Sequence, residues 1–450
     1  MNKLESLELQ ANQLVDLALK VGADACDVVV ASGNSLSISV RDGKLENSDR
    51  SEGDNISLRV FCDNKVASVN SNTVNNLEAL AERAVSMARV SPDDPSQGLA
   101  DKSLLADQAT ITKLADGLDL VDGYLPDAEE LETLALEAEN AGLSVADVSK
   151  SMGASAGHGT TGFVLATSDG FCGSYERSGS SISTAMVAGE NTGMERDYDF
   201  SSATHFEDLL PAQHIGRSAG ERAARRLNPK QVKSGNFPIL FDPRISAGVL
   251  GTLAGAINGG SIVRKTSFLR DLMGELIAGK NLNIVDDPHM KRRNGSRLFD
   301  SEGVANEKIN LVSSGVLQEW VLDSNAAREL GLNTNGRAAR SGSGTTPSTT
   351  NCYMEPGEQT PEELIASISQ GLYLTETIGH GVNMVTGDYS KGAAGFWIEN
   401  GEITYPVAEV TIAGNLKDMF LGMIPADDLE FKYSTNAPTL LIEGMTLGGK

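Results

Sequence analysis

From residue 4 to residue 227 one order of hydrophobic periodicities is written twice. Leu4, Leu7, Ala11, Leu14 and Ala18 recur at helical spacing, and the stripe ends near Gly22. Alternating segments follow at 27–30, 35–41, 55–61 and 66–69, with turn signals at Asp42-Gly43 and Asp63-Asn64. A second helix, capped by Asn72 or Thr73, carries Val74, Leu77, Ala81, Ala84 and Ala88 on its buried face. After Pro126-Asp127 the order begins again. An acidic helix with Leu131, Leu134, Ala135 and Ala138 on one side precedes strands at 146–156, 159–168, 171–178 and 180–190. A helix over about 206–227 closes the set. Two such units can pack side by side and present one broad sheet.

Breaks in composition set the boundaries. Pro92, Asp93, Asp94, Pro95, Ser96 and Gly98 make a linker-like stretch, and residues 101–125 read as loop-rich. From residue 238 short strands alternate with loops, and a helix is expected over 361–372. The expected fold is α+β. Its N-terminal α/β region holds two similar helix–antiparallel-sheet–helix units, residues 1–100 and 126–230. A mostly β C-terminal domain with inserted helices follows, residues 235–450.

Charge excludes some classes of function. The formal net charge is −24, so the chain repels phosphates and no nucleic-acid partner is expected. Its acidity reads as solubility first, and as mimicry of DNA only second. No apolar run approaches the ~18 residues of a membrane span. Cys26, Cys62, Cys172 and Cys352 are far apart and form no Cys-x-x-Cys pair, which suits free buried thiols in a reducing compartment. The opening MNKLESLELQ lacks the apolar core of a signal peptide, and the expected location is cytoplasmic.

One stretch stands apart. Residues 246–263 carry no charge, and Val249, Leu253, Ala256 and Ile257 recur at helical spacing. Five glycines fall between positions 248 and 260. Each glycine inside a helix costs up to ~1 kcal/mol against alanine, so a close neighbour is expected. Small residues allow close approach; they supply no acid, base, nucleophile or metal ligand.

This stretch and its surroundings resemble the C-terminal domain of the TldD/PmbA family, also called modulator of DNA gyrase. Members with a metal site carry His-Glu-three residues-His on this helix, between a Gly-Val-Leu-like lead-in and a Gly-Asp-Phe-Asn-Arg-Lys-like exit. Here the lead-in is Gly248-Val249-Leu250, and the exit runs from Gly260 to Arg264-Lys265. The resemblance places Thr252, Leu253 and Ile257 where the first His, the Glu and the second His would stand. The ending 440–450 is also similar, but no cysteine follows Cys352, where metal-bearing members supply another ligand.

The pattern is similar to the PmbA (TldE) branch, which pairs with a zinc-holding TldD-like subunit. The resemblance implies no metal and no catalytic residue in this chain, zinc in the partner, and unfolded or extended peptides as substrates. It implies degradation or maturation of peptides, with an indirect effect on gyrase. A homodimer is expected when the chain is alone. The Gly-rich segment with His380, Gly381 and Asp388, and the segment of Asn351 before Pro356-Gly357, are expected near the peptide cleft.

Other motifs carry less. Asp286, His289 and His380 would make a self-sufficient metal site if they converged. Direct binding to gyrase is a third reading, which the charge permits and no residue pattern supports. Gly157-His158-Gly159-Thr160-Thr161-Gly162 matches G-x-G-x-x-G but leads into a strand, so it offers no helix N-terminus to a phosphate. Residues 274–281 resemble a P-loop whose hydroxyl residue is replaced by Asn281. Residues 341–351 read as a flexible loop rich in hydroxyls.

Overall fold

The computed structural model describes residues 3–73, 76–341 and 344–450. The first unit comprises α1 (Lys3–Lys20), β1 (Ala25–Arg41), β2 (Lys44–Cys62), β3 (Lys65–Ser71) and α2 (Leu77–Val90). Next comes α3 (Gln108–Leu118), capped by Asp107, whose carboxylate accepts from the Thr110 amide at 2.7 Å. The second unit is α4 (Ala128–Leu143), β4 (Val148–Thr167), β5 (Cys172–Ala188), β6 (Glu195–Ala203) and α5 (Ala212–Arg225).

The six strands form one sheet in the order β3-β2-β1-β4-β5-β6. Its seam is the antiparallel pairing of β1 with β4, in register from Asp27 opposite Thr167 to Val40 opposite Ala154. Period-2 alternation divides the sheet's two faces. Val28, Val30, Ile56 and Leu58 pack under α1 and α2, and Ile38, Val40 and Ile182 pack under α4. The opposite face sets Val29 and Leu165 against Ile111, Leu298 and Phe299, so α3 and the C-terminal region cover it. At Gly216 of α5 an added Cβ would lie 1.9 Å from the Ala138 carbonyl oxygen of α4, so only glycine permits this crossing.

The C-terminal region comprises β7 (Gly235–Phe241), α6 (Pro243–Ala256), α7 (Gly259–Val263), β8 (Ile284–Asp286), β9 (Ile309–Ser313), β10 (Val316–Leu317) and α8 (Ser324–Leu330). It continues with β11 (Ala338–Ser341), β12 (Gly344–Pro347), β13 (Cys352–Met354), α9 (Pro361–Ala366), β14 (Gln370–Ile378), β15 (Asp388–Glu399) and β16 (Glu402–Asn415). It ends with α10 (Leu416–Leu421), β17 (Met423–Pro425), β18 (Thr435–Asn436) and β19 (Leu440–Gly448). The larger sheet runs β16-β15-β14-β7-β19-β17, and a further pairing of β16 with β19 closes it into a barrel. The smaller sheet is β10-β9-β8-β13-β18. One hydrophobic core, containing Phe241, Leu253, Ile284, Leu374 and Ile412, joins barrel, small sheet and α6. The fold is α+β with a β-rich C-terminal region.

Several elements differ from the expectations. The α2 helix is capped by Asn76, whose side chain accepts from the Ala79 amide, rather than by Asn72 or Thr73. Val74 lies outside the described residues. The 101–125 stretch contains α3. The expected strand pairs at 146–168 and 171–190 are single long strands, because Gly157 stays in the ladder opposite Ser37 and Gly179 opposite Gly159. The expected loop at 341–351 begins as a hairpin, β11 against β12, with Ala338 opposite Pro347. The expected helix over 361–372 stops at Ala366, and the chain turns into β14. All four cysteines are free thiols, Cys172 being only partly buried. No described helix is long and apolar enough to cross a membrane.

Candidate functional site

Strand β7 delivers α6 at a fixed point. Asp242 caps the helix by accepting from the Arg244 amide at 3.0 Å. Its own amide donates to the Leu374 carbonyl of β14, and the Tyr373 hydroxyl donates to its carboxylate at 2.8 Å. Arg244 then reaches Asp197 of β6 at 3.0 Å. Arg226, the C-cap of α5, joins Asp197 and Glu376 of β14, so charges tie the second N-terminal unit to β14 and, through Arg244, to the start of α6. Burial disfavours the Arg244 guanidinium, but Asp242 and Asp197 outweigh it and hold its pKa above the usual value.

One face of α6 is core: Ser246, Val249, Leu250, Leu253 and Ala256. The other face is nearly bare. A Cβ at Gly248 or Gly251 would meet nothing within 4 Å, and one at Gly255 only the Met384 methyl at 3.7 Å. The close neighbour expected for these glycines is therefore absent among the described residues along α6. It exists at Gly259, where a Cβ would lie 2.7 Å from Leu322 and 2.9 Å from the Val321 carbonyl. The single helix expected over the stretch is two, since Asn258 caps α7 by accepting from the Gly260 amide at 3.0 Å.

Thr252 donates its hydroxyl to the Gly248 carbonyl at 2.9 Å. Leu253 and Ile257 are core residues, 2% and 0% exposed. A hydroxyl turned onto its own helix and two buried hydrocarbons offer a zinc ion neither imidazole nor carboxylate, so this donor set does not fit the metal. Among the described residues no group of three or more His, Cys, Asp or Glu side chains could hold a metal ion.

The loop after β14 lies over the end of α6. The Phe268 amide donates to the Met384 carbonyl at 2.8 Å, and the Ser390 amide to the Gly381 carbonyl at 2.6 Å. A Cβ on Gly381 would sit 1.4 Å from the Ser390 oxygen, so the loop needs glycine there. Asp388 closes the loop, accepting from the Thr386 hydroxyl at 2.6 Å and the Asn415 amide at 3.2 Å. His380 is exposed at its tip. Of this loop, Met384 stands beside Gly255 of α6.

Asn351 does not join them. It is 1% exposed, donates to the Asp287 carbonyl and Ser296 hydroxyl, and accepts from the Gly295 amide. With those bonds made, its side chain supports the 287–296 turn and has no face for a peptide. The self-sufficient metal site is likewise not assembled. Asp286 is consumed by Arg337 and by the Thr350 amide and hydroxyl. The His289 ring bonds Asn306 at 2.9 Å, and burial lowers its pKa.

Sequence reading missed a buried ionic cluster. Asp27 of β1 binds Arg59 of β2 at 2.8 Å and Arg340 of β11 at 2.6 Å. Glu302 stands 3.8 Å from Arg59 and accepts from Thr345 of β12 at 3.1 Å. Burial alone would raise the Asp27 carboxyl, but Arg340 and Arg59 hold it below the usual carboxylate range. The only sequence signal was two charges at inward strand positions.

A doubled helix–sheet–helix region placed on a closed β domain, with a capped Gly-rich helix at the junction, defines a three-part architecture. The matches say which one. Residues 234–449 match the PmbA/TldA metallopeptidase C-terminal domain, residues 26–88 its domain 1, and residues 123–227 its central domain. Metalloprotease PmbA of Escherichia coli O157:H7 is 33% identical over 457 residues, covering 100% of this chain and 98% of that protein. The chain therefore belongs to the PmbA/TldA metallopeptidase family.

Solved structures agree on the fold. A protein from Bacteroides thetaiotaomicron described as a modulator of DNA gyrase superposes with a TM-score of 0.90 at 28% identity, covering 98% of this chain and 99% of its own. TldE from Thermococcus kodakarensis superposes with a TM-score of 0.85 at 19% identity, covering 98% and 100%.

Proposed function

We propose that this chain is the PmbA/TldE-like, non-metal subunit of a cytoplasmic two-component metallopeptidase acting on unfolded or extended peptides. A TldD-like partner supplies the zinc and the base. This chain supplies one side of an enclosed cavity and restricts what enters it. The observation that carries the reading is the state of α6. Positions 252 and 253 and the C-cap position 257 hold a self-bonded hydroxyl and two core hydrocarbons, while Gly248 and Gly251 leave the opposite face bare. A bare glycine face lets a partner's backbone approach closely. The loop of His380, Gly381 and Asp388, whose Met384 stands beside Gly255, is suited to main-chain contact with an extended peptide.

The test is capture from the native cell with this chain as bait. Recovery of a relative bearing His-Glu-three residues-His, in equal amount, supports the assignment. Recovery of the chain alone, or of gyrase without such a relative, contradicts it.

A further inference from the structure

A cavity of about 850 Å³ lies where the end of β6 meets two C-terminal loops, 291–294 and 430–433. Its charges are unusual for a chain of net charge −24: Lys291, Arg292, Arg293 and Lys432 face only Asp208 and Glu430. Both carboxylates are already partnered, Asp208 by Arg292 at 3.3 Å and Glu430 by Lys432 at 2.7 Å. Lys291 is held by Asp119 at 3.4 Å. Arg293 is left over. Among the described residues no carboxylate lies within 4.0 Å of it, though it is half-buried.

Arg293 is nonetheless held in place. One terminal nitrogen donates to the Phe431 carbonyl at 2.8 Å, and the guanidinium lies 5.2 Å over the Phe431 ring. Among the described residues its remaining N–H groups have no hydrogen-bond partner. A fixed, unpaired guanidinium fork matches a carboxylate, which it binds through two parallel hydrogen bonds. Beside it, Phe200 and Tyr433 stand 5.5 Å apart and make an aromatic wall.

The strand leading into the cavity shapes what can enter. The amides of Tyr198 and Phe200 on β6 are taken by the side chains of Asp197 and Asp199, at 2.8 and 2.9 Å. A peptide cannot use those amides to add as a further strand, so a terminus entering end-on suits the site better than a mid-chain segment.

We infer that this cavity binds the C-terminal carboxylate of a peptide ending in an aromatic or large apolar residue, with Arg293 gripping the carboxylate. The choice of a peptide over another carboxylate rests on the peptide-handling function proposed above. The cavity is separate from the bare face of α6.

The test is calorimetric titration of the purified chain with N-acetylphenylalanine, its C-terminal amide and inorganic phosphate at equal ionic strength. The acid should bind saturably and roughly 10-fold or more tighter than the amide, the scale of a charged hydrogen-bonded contact. Arg293→Gln should erase that difference, and Arg293→Lys should weaken it, with melting curves confirming both folds. No saturable binding of the acid, equal binding of acid and amide by the native chain, phosphate binding as tight as the acid, or a folded Arg293→Gln that keeps the preference would each overturn the inference. The titration needs neither partner nor zinc. Its failure therefore leaves the two-component reading standing, and failure to recover a partner leaves the titration result intact.

Discussion

Arg337 and Asp286 form an ion pair with both side chains 0% exposed, at 2.5 Å. Arg337 also donates to the carbonyls of Asn335 and Glu307. Asp286 accepts in addition from Thr350. The pair locks β8 to the segment before β11 and uses the carboxylate that sequence reading had offered to a metal. Asp286→Ala strands a buried guanidinium, which costs on the order of 3–5 kcal/mol. Denaturant unfolding should show a loss of that size. A loss below about 1 kcal/mol would mean that Arg337 finds water or another partner.

The bare face of α6 gives an opposite sign. Gly251→Ala adds a methyl to open space and removes a helix-interior glycine, so the isolated chain should gain up to ~1 kcal/mol. Gly251→Leu should leave the isolated chain folded but weaken its association with a TldD-like partner. Unfolding curves and a pull-down read the two effects separately. Unchanged association would place the partner elsewhere.

Gly381→Ala should behave unlike Gly251→Ala. Its Cβ would fall 1.4 Å from the Ser390 carbonyl oxygen, so the loop must move. A cost of about 1–3 kcal/mol is expected from overpacking alone. Amide exchange should be accelerated in residues 379–388.

Asp300 sets a pH dependence. Burial, then the neighbouring Glu302 charge, pushes its carboxyl up to about 7, against about 3.9 in an unfolded chain. Between about pH 4 and pH 7 the folded protein keeps a proton that the unfolded chain has released. Stability from this group therefore falls as pH rises through that window. Asp300→Asn removes this dependence. Its melting temperature relative to the parent should move in the variant's favour from pH 5 to pH 8, and a constant difference would refute the assignment.

Much of the fold was legible because it rests on periodicity. The stripe Leu7, Ala11, Leu14, Ala18 is buried as its spacing requires, and the two halves do share one sheet. What failed was punctuation. Gly157 and His158 read as a break, yet both lie within a strand, close against the backbone of β1: a Cβ at Gly157 would lie 3.3 Å from the Leu36 carbonyl oxygen. Only the neighbouring strand, remote in sequence, decides that such glycines stay in a ladder.

Little of the candidate site was legible in spacing or periodicity. Thr252, Leu253 and Ile257 are singled out only by the resemblance to members that carry a metal motif. The Asn351 side chain is absorbed by Gly295, Ser296 and Asp287, contacts 55 and more residues apart. The cluster of Asp27, Arg59 and Arg340 spans a separation of 313 residues and has no local signature.

The most direct measurement is cleavage of an unfolded peptide by this chain alone, by a TldD-like partner alone, and by the two mixed in equal amounts, each with and without a chelator. The chain alone should be inactive, and chelator-sensitive cleavage should be strongest in the mixture. Chelator-sensitive hydrolysis by the purified chain alone would contradict the proposed non-metal subunit.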